Sequence, residues 1–237
     1  MDFRTTVGKR LRKHLSAVQH EQFEIYARRL LEGRHRAGLT SLRDRPSIER
    51  RHFGESFALL SALSSRGILE SPVIDIGTGG GIPGLPIKIL RPELDVTLVE
   101  ASAKKVHFLK ETVRELELSG VSVTQGRAET VAHEPRYRAR YALALARAVA
   151  PLRVLVELAL PFVRLGGYLA TPKGSAAERE VREASNALAV CGGRVELLQR
   201  LDLPESGPIP TLVLVRKVAE TPERYPRRAG IPQKRPL

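Results

Sequence analysis

The chain has 237 residues, enough for one well-buried α/β core with an extension and too few for a second large domain. It is 42% hydrophobic but has no run of about 18 uncharged apolar residues, and charges recur from Met1 to Gln19, so neither a membrane span nor a signal peptide is predicted and a cytoplasmic protein is expected. The formal charge of +13 divides into +6 over residues 1–70, +3 over 71–220 and +4 over 221–237, and the single cysteine, Cys191, excludes a disulfide framework and a multi-cysteine metal site.

Basic ends around a nearly balanced middle suit a protein that holds a polyanion with its flanks, nucleic acid before an anionic membrane. Three units are expected: a helical extension over 1–70, a main domain over 71–218 and a basic tail over 219–237. In the first, Val7, Leu11, Leu15 and Val18, then Phe23, Tyr26, Ala27 and Leu30, then Phe53, Phe57 and Leu60 recur at helical spacing and predict core-facing stripes. Ser47, following Pro46, is the predicted N-cap of the last helix. Arg50, Arg51 and His52 then fall on its first turns, where cations oppose the helix dipole, so either an anion compensates them or they point into water.

From Pro72 the rhythm changes. Strands are predicted at Val73–Ile76, Val96–Val99, Val121–Thr124, Tyr141–Leu145 and Tyr168–Ala170. Helices are predicted around the stripe Val106, Leu109, Val113 and Leu116, over Leu152–Val163 and over Ala176–Ala189. Alternating strand and helix implies a parallel sheet wound on both faces. The runs Arg194–Leu201 and Thr211–Val215 have no helix between them and suit an antiparallel pair closing one edge.

The stretch VIDIGTGGGIPG leaves the first strand for a helix, which places its glycines where open α/β sheets bind ligands. Gly77, Gly79 and Gly81 let the main chain turn sharply and approach a ligand without Cβ atoms in the way. Gly79, Gly81 and Gly84 also fit the dinucleotide spacing, so the glycines alone do not choose a cofactor. Pro83 and Pro86 remove two N–H donors from the following helix, which disfavours a pyrophosphate there and favours S-adenosylmethionine. Asp75 is expected either to anchor the loop or to face the cationic amino-acid end of that cofactor. Glu100 ends the second strand, where a carboxylate accepts both ribose hydroxyls, and the Ala128 N–H with the Glu129 carboxylate is a candidate reader of adenine. Arg147 leaves the fourth strand at the lip of the same cleft and must meet a carboxylate, a carbonyl or the substrate, because it cannot shed its charge.

These stretches, with LVEASAKKVHFLK, GRAE, ARAVAPL and the tail YPRRAGIPQKRPL, resemble the bacterial small-subunit ribosomal RNA methyltransferase G family, once called glucose-inhibited division protein B. The resemblance covers most of the chain. It implies a Rossmann-like class I methyltransferase sheet with an N-terminal helical extension, and methylation of guanine N7 in a loop of 16S rRNA near the decoding site. By position, Gly77, Ile82, Ala128, Glu129 and Arg147 match the family's cofactor contacts. The family pattern has Asn-Leu-Thr and His-x-x-Asp-Ser where this chain has Gly38-Leu39-Thr40 and His52-Phe53-Gly54-Glu55-Ser56.

Guanine N7 has a free lone pair at neutral pH, so no general base is required and orientation carries the catalysis. Arg147 is the candidate catalytic residue, either pairing with guanine O6 or neutralising a carboxylate. Arg50, Arg51, Arg227, Arg228 and Lys234 are candidate RNA contacts, no metal is expected, and a monomer acting on 16S rRNA or the small ribosomal subunit follows. Pro226, Pro232 and Pro236 are expected to forbid a regular helix or central strand in the tail; Tyr225 and Ile231 are anchors expected to dock it near the cleft, with its removal leaving cofactor affinity nearly unchanged. A small-molecule methyltransferase would have no use for the basic ends. A non-catalytic RNA-binding protein would have no use for the cofactor loop.

Overall fold

The stripe from Phe23 to Leu30 lies on a helix that begins on a reciprocal cap. In the computed structural model, which describes residues 15–203 and 209–237, α1 (Ala17–Ala37) follows Ser16, whose hydroxyl accepts from the Gln19 N–H at 3.1 Å while the Gln19 side chain accepts from the Ser16 N–H at 3.0 Å. Phe23, Tyr26, Ala27 and Leu30 are fully buried, as their spacing predicts. Val18 corrects the preceding stripe: it is 62% exposed, because five residues before Phe23 is about 140° round the helix from it. Leu15 packs on the core edge, whereas Val7 and Leu11 lie outside the described residues.

A second helical run consists of α2 (Arg45–Ile48), a π-helical turn (Glu49–Gly54) and α3 (Glu55–Ser64). Its cap is Asp44 rather than Ser47. The Asp44 carboxylate accepts the Ser47 N–H at 2.8 Å and its hydroxyl at 2.9 Å, which starts the helix earlier than the serine alone predicts. Phe23 lies 5.0 Å from Phe53 and 5.2 Å from Phe57, and Tyr26 stacks on Phe53 at 5.5 Å. These rings share one core with Leu85 and Leu98, so residues 15–70 contribute to the cover of one face of the sheet.

The sheet has seven strands: β1 (Val73–Ile76), β2 (Val96–Glu100), β3 (Val121–Gln125), β4 (Tyr141–Leu145), β5 (Val163–Lys173), β6 (Gly193–Arg200) and β7 (Thr211–Lys217). Their order is β3-β2-β1-β4-β5-β7-β6. The first five are parallel, and β7 runs antiparallel between β5 and β6, closing the edge as the apolar runs predict. The order reverses between β1 and β4, which opens a crevice at their carboxyl ends.

Helices α4 (Gly84–Leu90) and α5 (Ala103–Glu115) lie on the α1 side; α6 (Ala128–Val131), α7 (Leu152–Ala159), α8 (Ala177–Glu183) and α9 (Ser185–Cys191) contribute to the core of the other side. The helix expected over Leu152–Val163 stops at Ala159, since Leu160 precedes Pro161, and a 3₁₀ turn leads into β5 at Val163. β5 runs well past Tyr168–Ala170 because β7 pairs with it from Tyr168 to Lys173. The helix expected over Ala176–Ala189 divides at Ala184. The expectation of no regular helix in the tail is corrected: Ile231–Lys234 forms a single helical turn, α10, with Pro232 in its opening positions, where a missing N–H costs nothing.

Gly84 marks a close contact of helix and strand. A Cβ there would sit 2.7 Å from Leu98 Cδ2 and 2.8 Å from Asp75 Oδ2. Gly84→Ala is therefore expected to lower stability in urea unfolding by roughly 1–3 kcal/mol, whereas Gly174→Ala, which meets nothing within 4 Å, is expected to change it little.

Candidate active site

Asp75 is fully buried in β1. Its Oδ2 accepts the Thr78 hydroxyl at 2.6 Å and the Gly84 N–H at 2.9 Å, so it performs the anchoring task of the two expected of it. Oδ1 is buried without a hydrogen-bond partner. Burial pushes this carboxyl up to about 7, against the lowering effect of the Thr78 and Gly84 bonds. Gly77 and Gly81 take φ values of 64° and 99°, where glycine is favoured. At Gly81 a Cβ would meet Leu85 Cδ1 at 2.4 Å, and at Gly80 it would meet Leu30 Cδ2 at 2.9 Å. Much of the glycine loop therefore makes room for the protein's own helices. The Tyr26 hydroxyl donates to the Gly80 carbonyl at 2.8 Å and ties α1 to it.

A cavity of about 330 Å³ opens beyond the loop, at the ends of β1, β2 and β3. It brings together Gly77, Glu100, Ala128 and Glu129. Ile82 is buried in the core on the α1 side, and neither it, Gly79 nor Gly81 lines this cavity. Glu100 accepts the Gly79 N–H at 3.0 Å through Oε2 and the Ser102 N–H at 2.8 Å through Oε1, which leaves each oxygen a further lone pair for a hydroxyl. Ala128 opens α6, where N–H groups have no intrahelical partner. This donor and acceptor set fits a nucleoside such as that of S-adenosylmethionine.

The tail supplies the outer wall. Gly230, Pro232 and Gln233 line the same cavity, and the Gly230 N–H donates to Glu129 Oε1 at 2.9 Å. Tyr225 is buried, and Arg138 donates to the carbonyls of Thr221 and Tyr225 at 2.9 Å each. Arg227 is placed differently from the phosphate contact expected of it. Its Nε and Nη2 grip the fully buried Glu157 at 2.9 and 2.6 Å, making it the tether of the tail.

A larger cavity of about 750 Å³ adjoins the first, sharing Val149 and Ala150 as walls. Arg147 leaves β4 into its lining. The partner is a carboxylate: Nε and Nη2 donate to Glu55 Oε2 at 2.9 and 2.6 Å, Nη1 lies 3.1 Å from His52 Nδ1, and Nη2 reaches the Arg51 carbonyl at 3.2 Å. His52 Nε2 in turn lies 2.8 Å from Thr40 Oγ1. Burial, then Arg147 and Arg51, push the His52 imidazole down to about 3, so it is neutral. On the opposite rim, Lys173 Nζ pairs with Glu180 at 2.9 Å and donates to the Ala150 carbonyl at 2.6 Å. Between the two pairs Ala148 takes φ 55°, uncommon for a residue with a side chain.

A family model described as rRNA small subunit methyltransferase G matches residues 19–206. The chain belongs to that family. Ribosomal RNA small subunit methyltransferase G of Roseiflexus castenholzii is 47% identical over 223 residues, 94% of each chain. That of Desulfitobacterium hafniense strain Y51 is 42% identical over 229 residues, 97% of this chain and 94% of the relative. Among solved structures, a geranyl diphosphate methyltransferase in complex with GPP and sinefungin superposes with a TM-score of 0.57 at 16% identity, covering 86% of this chain and 100% of that one. A mutant of MtNAS in complex with S-adenosylmethionine gives a TM-score of 0.56 at 15% identity, covering 85% and 72%. At these identities the superpositions show the class I methyltransferase fold alone.

Where the methyltransferase G pattern has an aspartate, Glu55 keeps the carboxylate and uses it on Arg147. Residue-by-residue reading missed His52, Glu55, Thr40 and Glu157 as site groups; the departures from the family pattern at Gly38 and Glu55 were the available signal for two of these stretches. Arg51 lines the larger cavity and reaches Glu55 Oε1 at 3.6 Å, an internal anion compensating that cation. Arg50 is exposed on the π-turn, and Arg228 and Lys234 are exposed on the tail beside the smaller cavity. Among the described residues no cluster of His, Cys, Asp and Glu suits a metal, and no helix is long and apolar enough to cross a membrane.

Two outcomes follow for this methyltransferase G chain. Ending it after Ala229 removes the wall at Gly230, Pro232 and Gln233 but keeps the Arg227 tether; cofactor affinity by calorimetry is expected to fall about tenfold. The folded His52 pKa lies below its unfolded value of about 6.5, so its stabilising contribution is complete above that pH and is lost as pH falls toward about 3. The stability margin of the wild type over His52→Gln, measured in urea, is expected to shrink on acidification from pH 6.5 to 4 by up to about 1.4 kcal/mol per pH unit.

Proposed function

We propose that the protein transfers a methyl group from S-adenosylmethionine to N7 of a guanine in a loop of 16S rRNA near the decoding site. The reading puts it in the cytoplasm as a monomer, acting on 16S rRNA or the small ribosomal subunit. The observation that carries it is the pair of cavities meeting at Val149 and Ala150, in a chain of the methyltransferase G family. The smaller cavity takes the cofactor: Glu100 accepts the ribose hydroxyls, Ala128 and Glu129 face the adenine, and Gly77 lets the main chain pass close. When bound, S-adenosylmethionine supplies an electrophilic methyl group on a sulfonium.

The larger cavity takes the base. Among the described residues, each carboxylate that lines it already holds a cation, Glu55 with Arg147 and Glu180 with Lys173, and His52 is neutral with both ring nitrogens engaged. None of these described groups is poised to remove a proton near neutral pH. That suits N7, whose lone pair attacks without deprotonation, and leaves orientation as the source of rate. Arg147 serves this as a positioning residue held by Glu55. Arg50, Arg51, Arg228 and Lys234 are proposed to hold phosphates around the two cavities, a role that salt would weaken.

The reading is tested with the purified protein. Calorimetry is expected to show S-adenosylmethionine bound in preference to NAD, and Glu100→Ala to weaken that binding by roughly 1.5–3 kcal/mol. Mass spectrometry of 16S rRNA after incubation with the cofactor is expected to reveal one new 7-methylguanosine. Tighter binding of NAD, or methylation of a different atom, would overturn it.

A further inference from the structure

The hydrogen bonds of the larger cavity have a direction, and it is set by Arg147. A guanidinium only donates, so His52 Nδ1, 3.1 Å from Arg147 Nη1, must be an acceptor. A neutral imidazole whose Nδ1 accepts carries its proton on Nε2. His52 Nε2–H therefore donates to Thr40 Oγ1 at 2.8 Å. The Leu42 N–H donates to the same oxygen at 3.1 Å. Both lone pairs of the Thr40 hydroxyl are thus filled from within the protein, and its own proton is left to donate. Thr40 is half-buried and lines the larger cavity. No acceptor for that proton is found among the described protein groups.

Resting on the proposed methylation of guanine N7, we infer that Thr40 is a specificity-determining contact whose hydroxyl donates to O6 of the target guanine. The Hoogsteen edge of guanine presents two acceptors, N7 and O6. N7 must keep its lone pair for the methyl group, so a donor belongs at O6. Adenine carries an N6 amino donor at that position, and Thr40 has no lone pair left to receive it. Rotation of the hydroxyl does not rescue adenine, because the polarity of the chain begins at a charge that cannot be titrated away. Arg147 itself makes four hydrogen bonds within the protein, so it acts on the base through His52 and Thr40.

The test uses 16S rRNA assembled by ligation with either guanosine or 2-aminopurine riboside at the target position; the latter keeps N7 and lacks O6. With the full-length wild type, kcat/KM for methyl transfer is expected to be three- to tenfold higher on guanosine, the loss of one neutral hydrogen bond. Thr40→Val is expected to abolish that margin and Thr40→Ser to restore it, with cofactor affinity unchanged in both. If the valine variant fails to fold, Thr40→Ala is read in the same way. A wild type without a margin, or a valine or alanine variant that keeps it, overturns the inference while leaving guanine N7 methylation standing. A wild type that methylates no guanine N7 overturns the methylation reading and this contact with it.

Discussion

A carboxyl group cut off from water must find its hydrogen bonds inside the protein, and Asp75 finds them in the loop that follows its own strand. Bonds to Thr78 and Gly84 fold the intervening residues back over β1. With that loop set, the Gly79 N–H points at Glu100 and the Gly80 carbonyl meets the Tyr26 hydroxyl. One buried group thereby fixes the relation of β1, β2, α1 and α4. Burial raises the cost of ionising it, and the two donors, helped by the Arg147 charge, offset part of that cost, so a variant that lost either donor would weaken the organising centre of the loop.

The same logic governs the larger cavity, where charge is present but matched. The Glu55–Arg147 and Lys173–Glu180 pairs hold opposite rims with charge-assisted bonds, and Ala148 between them keeps an unusual backbone conformation because its neighbours on both sides are fixed. Such a cavity offers hydrogen-bond donors but no free base among the described residues. It is suited to holding a nucleophile that is already deprotonated, and unsuited to acid–base chemistry.

The sequence made the sheet legible because strand and helix periods are local. Val73–Ile76 and Tyr141–Leu145 stand as predicted, and the antiparallel closing pair followed from the missing helix between two apolar runs. Boundaries set by a neighbour were not legible. β5 extends to Lys173 because β7 pairs with it there, and nothing within residues 163–173 states that partner. The glycine loop was legible as a place of close approach, but the approaching groups at Gly80 and Gly81 are Leu30 and Leu85, not only a ligand. Ion pairs between distant segments left no local trace of the partner. Arg147 plainly needed a counter-charge, yet Glu55 lies 92 residues earlier in the chain, and Arg227 looked like a phosphate ligand until Glu157, 70 residues away, is seen beneath it.

The wall contributed by Gly230, Pro232 and Gln233 has a consequence for the order of events during synthesis. These residues leave the ribosome after all seven strands. The sheet, the glycine loop and the Glu100 carboxylate thus precede in the chain the residues that wall one side of the smaller cavity. That wall stands once Arg227 has clamped onto Glu157. From then on, any ligand that favours the closed cavity also favours the docked tail, by mass action, and guards it against proteases that attack loose chain ends.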